Sequence, residues 1–382
     1  MSRRLDRGYQ ALLRVWHAPA VWHRERRRWV AAEGGAAPRV FYGFVPFPAP
    51  DAPLAGGLHK CRDLQRSWPD CPERPNLLYL VSSALPPWAG IIATAARRVG
   101  APVVLNQNGV AYPAWCPRGW RRLNRHLARL HQCADFVIYQ SKFCRLSAER
   151  FLGRREGGMA VWLNPVDTRE FRPDPNRTAG PPWRLLLAGT HQFAYRIASA
   201  LRTVALLRRD GLEVRLRVMG RYAWRTTERE ALREARDQAH TLGVADAVEW
   251  SGAYTRAEGR AALQHAHILL HPQYNDAAPR LLAEALACGT PPVYSASGGA
   301  PEIVGDAAGI GIPAPLDWEC THPPPPEAMA AAVIRVIGRY DDFVAAARRR
   351  AETELDLEPW LEHHRELFLR LLAQRRPRNS SG

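Results

Sequence analysis

Residues 271–304 read HPQYNDAAPRLLAEALACGTPPVYSASGGAPEIV. Pro279 suits the first position of a helix, Gly289 follows the last apolar turn and Pro291 forbids continuation, so a helix is predicted over Pro279–Cys288. An apolar strand end precedes it at His271, and a second strand follows it and closes on Gly298 and Gly299. The start of the helix is unusual. Ala278 is a poor N-cap, which leaves N–H groups such as those of Arg280 and Leu281 without a side-chain acceptor. Arg280 places a cation at the positive end of the helix dipole, a mismatch of about 0.3–1 kcal/mol that an anion would relieve. Free N–H groups, a dipole end and a guanidinium together describe a phosphate site. A second reading has Asp276 folding back as the cap and Arg280 pairing with Glu284 one turn on, worth only about 0.2–0.5 kcal/mol. The local sequence leaves both open.

Working outward, short apolar strands alternate with helices in both directions. Upstream in the second half, strands are predicted at Arg184–Leu187, Val214–Val218, Ala247–Trp250 and Ile268–His271, with helices at Tyr195–Arg208, Glu228–Thr241 and Arg256–His265. In the first half, strands fall at Val40–Val45, Asn76–Val81, Pro102–Leu105, Asp135–Tyr139 and Ala160–Leu163, and helices open at AGGLHK (55–60), Trp88 and Ser141. Such alternation means parallel sheets covered on both faces, with ligands at the strand C-termini. The Pro-rich run NPVDTREFRPDPNRTAGPP (164–182) separates the two series. The predicted organisation is a basic extension over 1–37, a first domain over 38–170, a linker over 171–182, a second domain over 183–355, and a terminal helix and tail over 356–382, Arg-rich and frayed after Arg375.

Charge is unevenly spread. Of the formal net charge of +16 in 382 residues, positions 1–180 carry 28 Lys+Arg against 13 Asp+Glu. That field favours anionic partners: nucleic acid, an anionic membrane surface or a phosphorylated substrate. Arginines and tryptophans interleave in 1–37, a pattern that fits either an anionic membrane or a helix packed on its domain. The seven cysteines are odd in number and lack C-x-x-C spacing, which predicts a reducing compartment. No run is apolar enough to be a secretory signal or to cross a bilayer, so the expectation is a cytoplasmic protein, peripheral at most on the inner face of the membrane. His265, His267 and His271 flank a strand without a further ligand type, and no metal site is predicted there.

LLAEALACGTPPVYSASGGAPEIVG resembles the donor-binding segment of family 4 glycosyltransferases of the GT-B fold, NPVDTREFRPD resembles their interdomain N-G-V-D-x-x-x-F-x-P signature, and AGGLHK is similar to their N-terminal Gly-Gly loop. The resemblance runs from about Arg39 to the C-terminus, with motif order and spacing in agreement. It implies an α/β architecture of two doubly wound, Rossmann-like parallel-sheet domains facing across a cleft, with a C-terminal helix returning to the first domain. It further implies a retaining transferase, independent of metal and cofactor, that moves a sugar from a nucleotide-diphosphate donor to a glycan or lipid-linked acceptor in surface polysaccharide synthesis.

Residue by residue, Glu284 matches the second acid of the family's E-x7-E motif, which holds the ribose hydroxyls. Asp276 falls eight positions earlier, at the first acid, one methylene shorter and facing the transferred sugar. The backbone of Ala278, Pro279, Arg280 and Leu281 would meet the diphosphate, as would Gly56, Gly57 and Lys60. Arg196, one place from the family's basic residue after the strand-end Gly189, would neutralise the leaving group, and Gly298, Gly299 and Glu302 would approach the sugar. Asn108 stands where many relatives have histidine; it can hold a hydroxyl but cannot shuttle a proton. The departures at Asp276 and Asn108 leave open an inactive nucleotide-sugar-binding protein, and the charge leaves open a nucleic-acid binder, although no reading motif for specific nucleic acid is present.

Overall fold

The computed structural model describes residues 17–31, 36–48 and 56–374. Most of the predicted extension (1–16 and 32–35), Ala55 of AGGLHK and the Arg-rich end after 374 lie outside the described residues. Within them, residues 17–28 form helix α1, followed by β1 (Val40–Phe41), α2 (Gly56–Gln65), β2 (Leu77–Val81), α3 (Ala89–Arg98), β3 (Val103–Gln107), α4 (Trp120–Cys133), β4 (Phe136–Tyr139), α5 (Lys142–Phe151) and β5 (Gly158–Val161). The five strands are parallel in the order β1-β2-β3-β4-β5. Alternate residues serve opposite faces. Leu78, Leu80, Leu105 and Val137 pack under α3, α4 and α5, while Leu77, Tyr79, Val104 and Ile138 pack under α2.

The second sheet is built from β6 (Trp183–Ala188), α6 (Ala194–Arg209), β7 (Val214–Met219), α7 (Glu228–Thr241), β8 (Val248–Trp250), α8 (Arg256–His265), β9 (Ile268–His271), α9 (Arg280–Ala287), β10 (Pro292–Ala296), α10 (Ala300–Val304) and β11 (Ile310–Pro313). Helices α11 (Pro326–Ile337), α12 (Tyr340–Glu354) and α13 (Leu357–Ala373) complete the chain. The strand order β11-β10-β9-β6-β7-β8 is doubly wound, and its direction reverses between β6 and β9. A ligand belongs at that switch point, beyond the strand C-termini. The α13 helix packs Trp360, Leu361, Leu367 and Phe368 against Tyr42, Leu64, Trp68 and Tyr79 of the first domain, so the chain does return to where it began.

Several local expectations change. The strand predicted at Val40–Val45 ends after Phe41, because Gly43 takes a left-handed φ of 88° and turns the chain away. Val166, near the end of the predicted first domain, and Phe171, the first residue of the predicted linker, are both buried in the second domain's core. The described part of the 1–37 segment is packed: Trp29 meets Phe41 edge to face at 5.9 Å, and Glu25 is buried between Arg24 and Arg28. Among the described residues no helix is long and apolar enough to span a membrane, and none of the seven cysteines is in a disulfide.

Candidate active site

The start of α9 lies directly beyond β9, at the switch point of the second sheet. Pro279 occupies the N-cap position with ψ 104°, and no side chain caps the helix. Asp276 does not fold back to do so; its carboxylate accepts a 3.2 Å hydrogen bond from His271 Nε2. Arg280 does pair with Glu284, Nε to Oε1 at 2.9 Å, and its Nη1 also reaches Asp63 of α2 at 2.8 Å. Burial opposes the guanidinium charge, but Asp63 and Glu284 outweigh it and hold the arginine above its ordinary pKa. The two readings of this stretch are therefore each half realised: the arginine is internally neutralised, and the N–H groups of Arg280 and Leu281 have no side-chain acceptor.

Helix α2 brings the Gly-Gly loop opposite. A Cβ on Gly57 would lie 2.7 Å from Ser83 Oγ and 2.9 Å from Ala84 Cβ, so glycine is what lets α2 sit on the end of β2. Gly56 has nothing within 4 Å of that position and opens onto space. Lys60 is buried with no hydrogen bond or ion pair among the described residues; burial first, and then Arg280, lower its pKa to about 7. The same two causes, joined by Arg256, lower His59 to about 4, so its imidazole is neutral near pH 7.

Loop 276–278 is pinned from the first domain. Ser141, the N-cap of α5, donates from Oγ to the Ala277 carbonyl at 2.7 Å, and Asn164 Nδ2 donates to that of Ala278 at 2.8 Å. A Cβ on Gly109 would come within 2.6 Å of Ala277 Cβ, which brings Asn108 alongside the loop. Asn108 receives its own Gly109 N–H on Oδ1 at 2.8 Å. Its Nδ2 has no partner among the described residues.

Four of the residues expected near the donor are engaged with the protein itself. Gly298 and Gly299 press on the loop rather than on open space: a Cβ would lie 2.3 Å from the Asp276 carbonyl oxygen at the first and 2.1 Å from that of Ala277 at the second. Glu302 does not serve its own helix. Its carboxylate accepts the N–H groups of Lys142 (2.7 Å) and Phe143 (3.0 Å), capping α5 across the cleft. Glu302→Ala should cost about 0.5–2 kcal/mol, the usual worth of a lost cap, read as a shift in the urea midpoint with an unchanged slope. Arg196 is buried, donating from Nη1 to the Thr190 carbonyl at 2.6 Å and from Nη2 to that of Ala188 at 3.0 Å, and its Nε is unpartnered. It braces the turn at Gly189, whose φ is 105°, and Asp276 acts on it electrostatically.

Sequence reasoning missed Asp63, Asn164, Ser141, His271, Tyr195 and Tyr254. Tyr195 Oη accepts from Tyr274 N at 3.0 Å and from Gln273 Nε2 at 3.1 Å, fixing the approach to Asp276. Tyr254 feels the charges of both Glu284 and Arg196, its phenol pushed up to about 12 by burial and then by Glu284. Asn164, Ser141 and His271 lay in stretches already singled out, though not for these contacts; the others carry no local signal. No cluster of three or more His, Cys, Asp or Glu among the described residues could hold a metal ion.

Residues 168–342 match the family described as "Glycosyl transferases group 1". No curated protein sequence matches the chain. Among solved structures, sucrose-phosphate synthase (tll1590) from Thermosynechococcus elongatus superposes with a TM-score of 0.63 at 16% identity, covering 83% of this chain and 77% of that one. Anabaena Alr3699/HepE in complex with UDP and glucose gives 0.61 at 18% identity, covering 83% and 84%. A glycosyltransferase from Rickettsia africae ESF-5 gives 0.61 at 13% identity, covering 86% and 84%. The chain therefore has the GT-B fold, and its residues 168–342, somewhat less than half of its length, are similar to the group 1 glycosyl transferases.

Proposed function

We propose that the protein is a retaining, metal-independent glycosyltransferase that moves a sugar from a nucleotide-diphosphate donor to a glycan or lipid-linked acceptor in surface polysaccharide synthesis, acting in the cytoplasm at the inner face of the membrane. The observation that carries this reading is the uncapped start of α9 at the switch point, set opposite Gly56 and Lys60 and one turn before Glu284. The N–H groups of Arg280 and Leu281 receive the diphosphate, and Lys60 and Arg280 supply the countercharge that grows important as the diphosphate leaves. Glu284 accepts from the ribose diol. The complex of Anabaena HepE with UDP and glucose, on the same fold, supports a nucleotide sugar as the donor class.

In this reading Asp276, oriented by His271, meets the transferred sugar, and the free Nδ2 of Asn108 donates to a sugar hydroxyl. Arg196 contributes its field from beneath Gly189 rather than a direct contact, since its Nη groups are committed to carbonyls. No side chain is assigned as a base; the departing phosphate takes the acceptor proton. No cofactor enters the scheme.

A panel of nucleotide sugars tested by thermal shift should yield one donor that raises the melting temperature by mass action, and a panel with no stabilising member would overturn the reading. Glu284→Gln should weaken that donor roughly tenfold to a hundredfold, the worth of a hydrogen bond to a charged group. Unchanged affinity by calorimetry would sink the ribose assignment. A second reading, a nucleotide-sugar-binding protein without transfer activity, is favoured by Asn108; slow hydrolysis of the bound donor would remove it.

A further inference from the structure

From Arg74 to Ala134 the chain holds eight arginines and no Asp or Glu. The arginines concentrate on α4 and its approach. Arg121, Arg125 and Arg129 follow one another at intervals of four on one helical ridge, Arg122 lies beside them, and all four are exposed. None of these four ion-pairs with an acid among the described residues, whereas Arg145 on the next helix pairs with Glu149. Two large apolar side chains stand among them in the open: Leu123 is 55% exposed and Trp115 is 40% exposed.

This face is rigidly tied to the cleft. Asn124 on the buried side of α4 exchanges two hydrogen bonds with the backbone of Ala111, at 3.1 and 2.8 Å. That residue belongs to the loop running from Asn108 to α4, and the same loop touches the second domain, where Tyr112 packs edge to face on Trp318 at 5.2 Å. Trp115 therefore lies on the path between the site and the arginine ridge.

We propose that this face, α4 with the loop bearing Trp115, docks on an anionic lipid bilayer. An unpaired arginine ridge with no acid in reach matches a negative headgroup layer, and an exposed tryptophan and leucine supply the apolar contact that headgroup charge alone does not need. Trp120, the one further aromatic of the ridge, is covered by Arg121 at 4.3 Å and is closed to a stacking base, so the arrangement suits lipid better than a nucleic-acid strand. The proposal deepens the reading of a lipid-linked acceptor, and rests on it for the purpose of docking: a bilayer held here would present such an acceptor at the loop leading to Asn108.

The test uses the full chain and co-sedimentation with phosphatidylcholine vesicles, with and without about 30% phosphatidylglycerol. Binding should require the anionic lipid and fall with salt, and Arg121→Gln with Arg125→Gln should lower it by about twentyfold, near fivefold for each charge removed. Leu123→Ser and Trp115→Ser should lower vesicle binding while leaving any affinity for duplex DNA unchanged, because only lipid uses the apolar contact. Vesicle binding that survives all four substitutions, or that disappears only when residues 1–16 are deleted, overturns the proposal. So does an outcome in which the arginine changes abolish DNA binding and the apolar changes leave vesicle binding intact, which would identify a nucleic-acid surface instead. Donor stabilisation, measured on the same variants, should be unchanged; its absence in the parent chain would count against the transferase reading and not against docking.

Discussion

Lys60→Met should make the protein more stable and its donor binding weaker. The Lys60 side chain is 3% exposed and unpartnered among the described residues, and its pKa falls from 10.5 to about 7 on burial. In the window between those values the unfolded chain keeps a proton that the folded chain has released, so stability climbs as pH rises from about 7 to about 10.5. Below the window the full penalty of burying the ammonium is present; above it the penalty is gone. At 1.36 kcal/mol per pKa unit the depression corresponds to about 4–5 kcal/mol, which Met, keeping the apolar stem, should recover. Urea unfolding at pH 6 should show the variant ahead by several kcal/mol, and the lead should close toward pH 10.5. A bound diphosphate restores the reason for the charge. Donor binding by the parent at pH 8 should therefore take up a proton, visible as a dependence of the calorimetric enthalpy on the buffer, and Lys60→Met should lose that uptake along with affinity. Proton-neutral binding at pH 8 would remove Lys60 from the phosphate site.

Arg280→Met should act in the opposite sense on stability. Its guanidinium neutralises Asp63 and Glu284, all three side chains being largely buried, and removing it strands two carboxylates. Breaking a buried pair in this way costs about 3–5 kcal/mol. Adding Asp63→Asn to the Met variant should return part of the loss, and a pair of substitutions that merely add would deny the coupling. For binding, the variant should lose more affinity for nucleoside diphosphate than for nucleoside. Equal losses would leave Arg280 as an interdomain pin with no part in holding phosphate.

The contrast between what the sequence disclosed and what it concealed follows the range of the interactions. Helices α7 and α8 begin and end where predicted because Thr227 with Glu230 and Thr255 with Glu258 form capping boxes that are complete within four residues. The limits of α9 were legible from Pro279 and Gly289 for the same reason. Helix α4 was not, since Leu123, Leu127 and Leu130 are diluted by arginines and its buried side includes Asn124 and His131, polar residues that no apolar periodicity would mark. The site divides likewise. Glu284 and Asp276 could be placed by motif, but the partner of Arg280 lies 217 residues away and that of Glu302 about 160 away, and neither pairing leaves a trace in local spacing. Glycines 298 and 299 were visible as special positions; that their absent Cβ atoms make room for the loop at 276–277 depends on a packing that sequence alone does not reveal.

The pins across the cleft would set a kinetic condition on the transferase activity proposed above. Ser141 and Asn164 hold the carbonyls of Ala277 and Ala278, Glu302 holds the start of α5, and Asp63 holds Arg280. A donor that enters by parting the domains must release these four contacts together, and they re-form only when the jaws shut. On the proposed function, nucleotide exchange would then be the slow, gated event, with sugar transfer fast behind it. Turnover should consequently follow the opening rate, so that a substitution loosening a single pin, such as Glu302→Ala, would quicken product escape even as it makes the folded protein less stable.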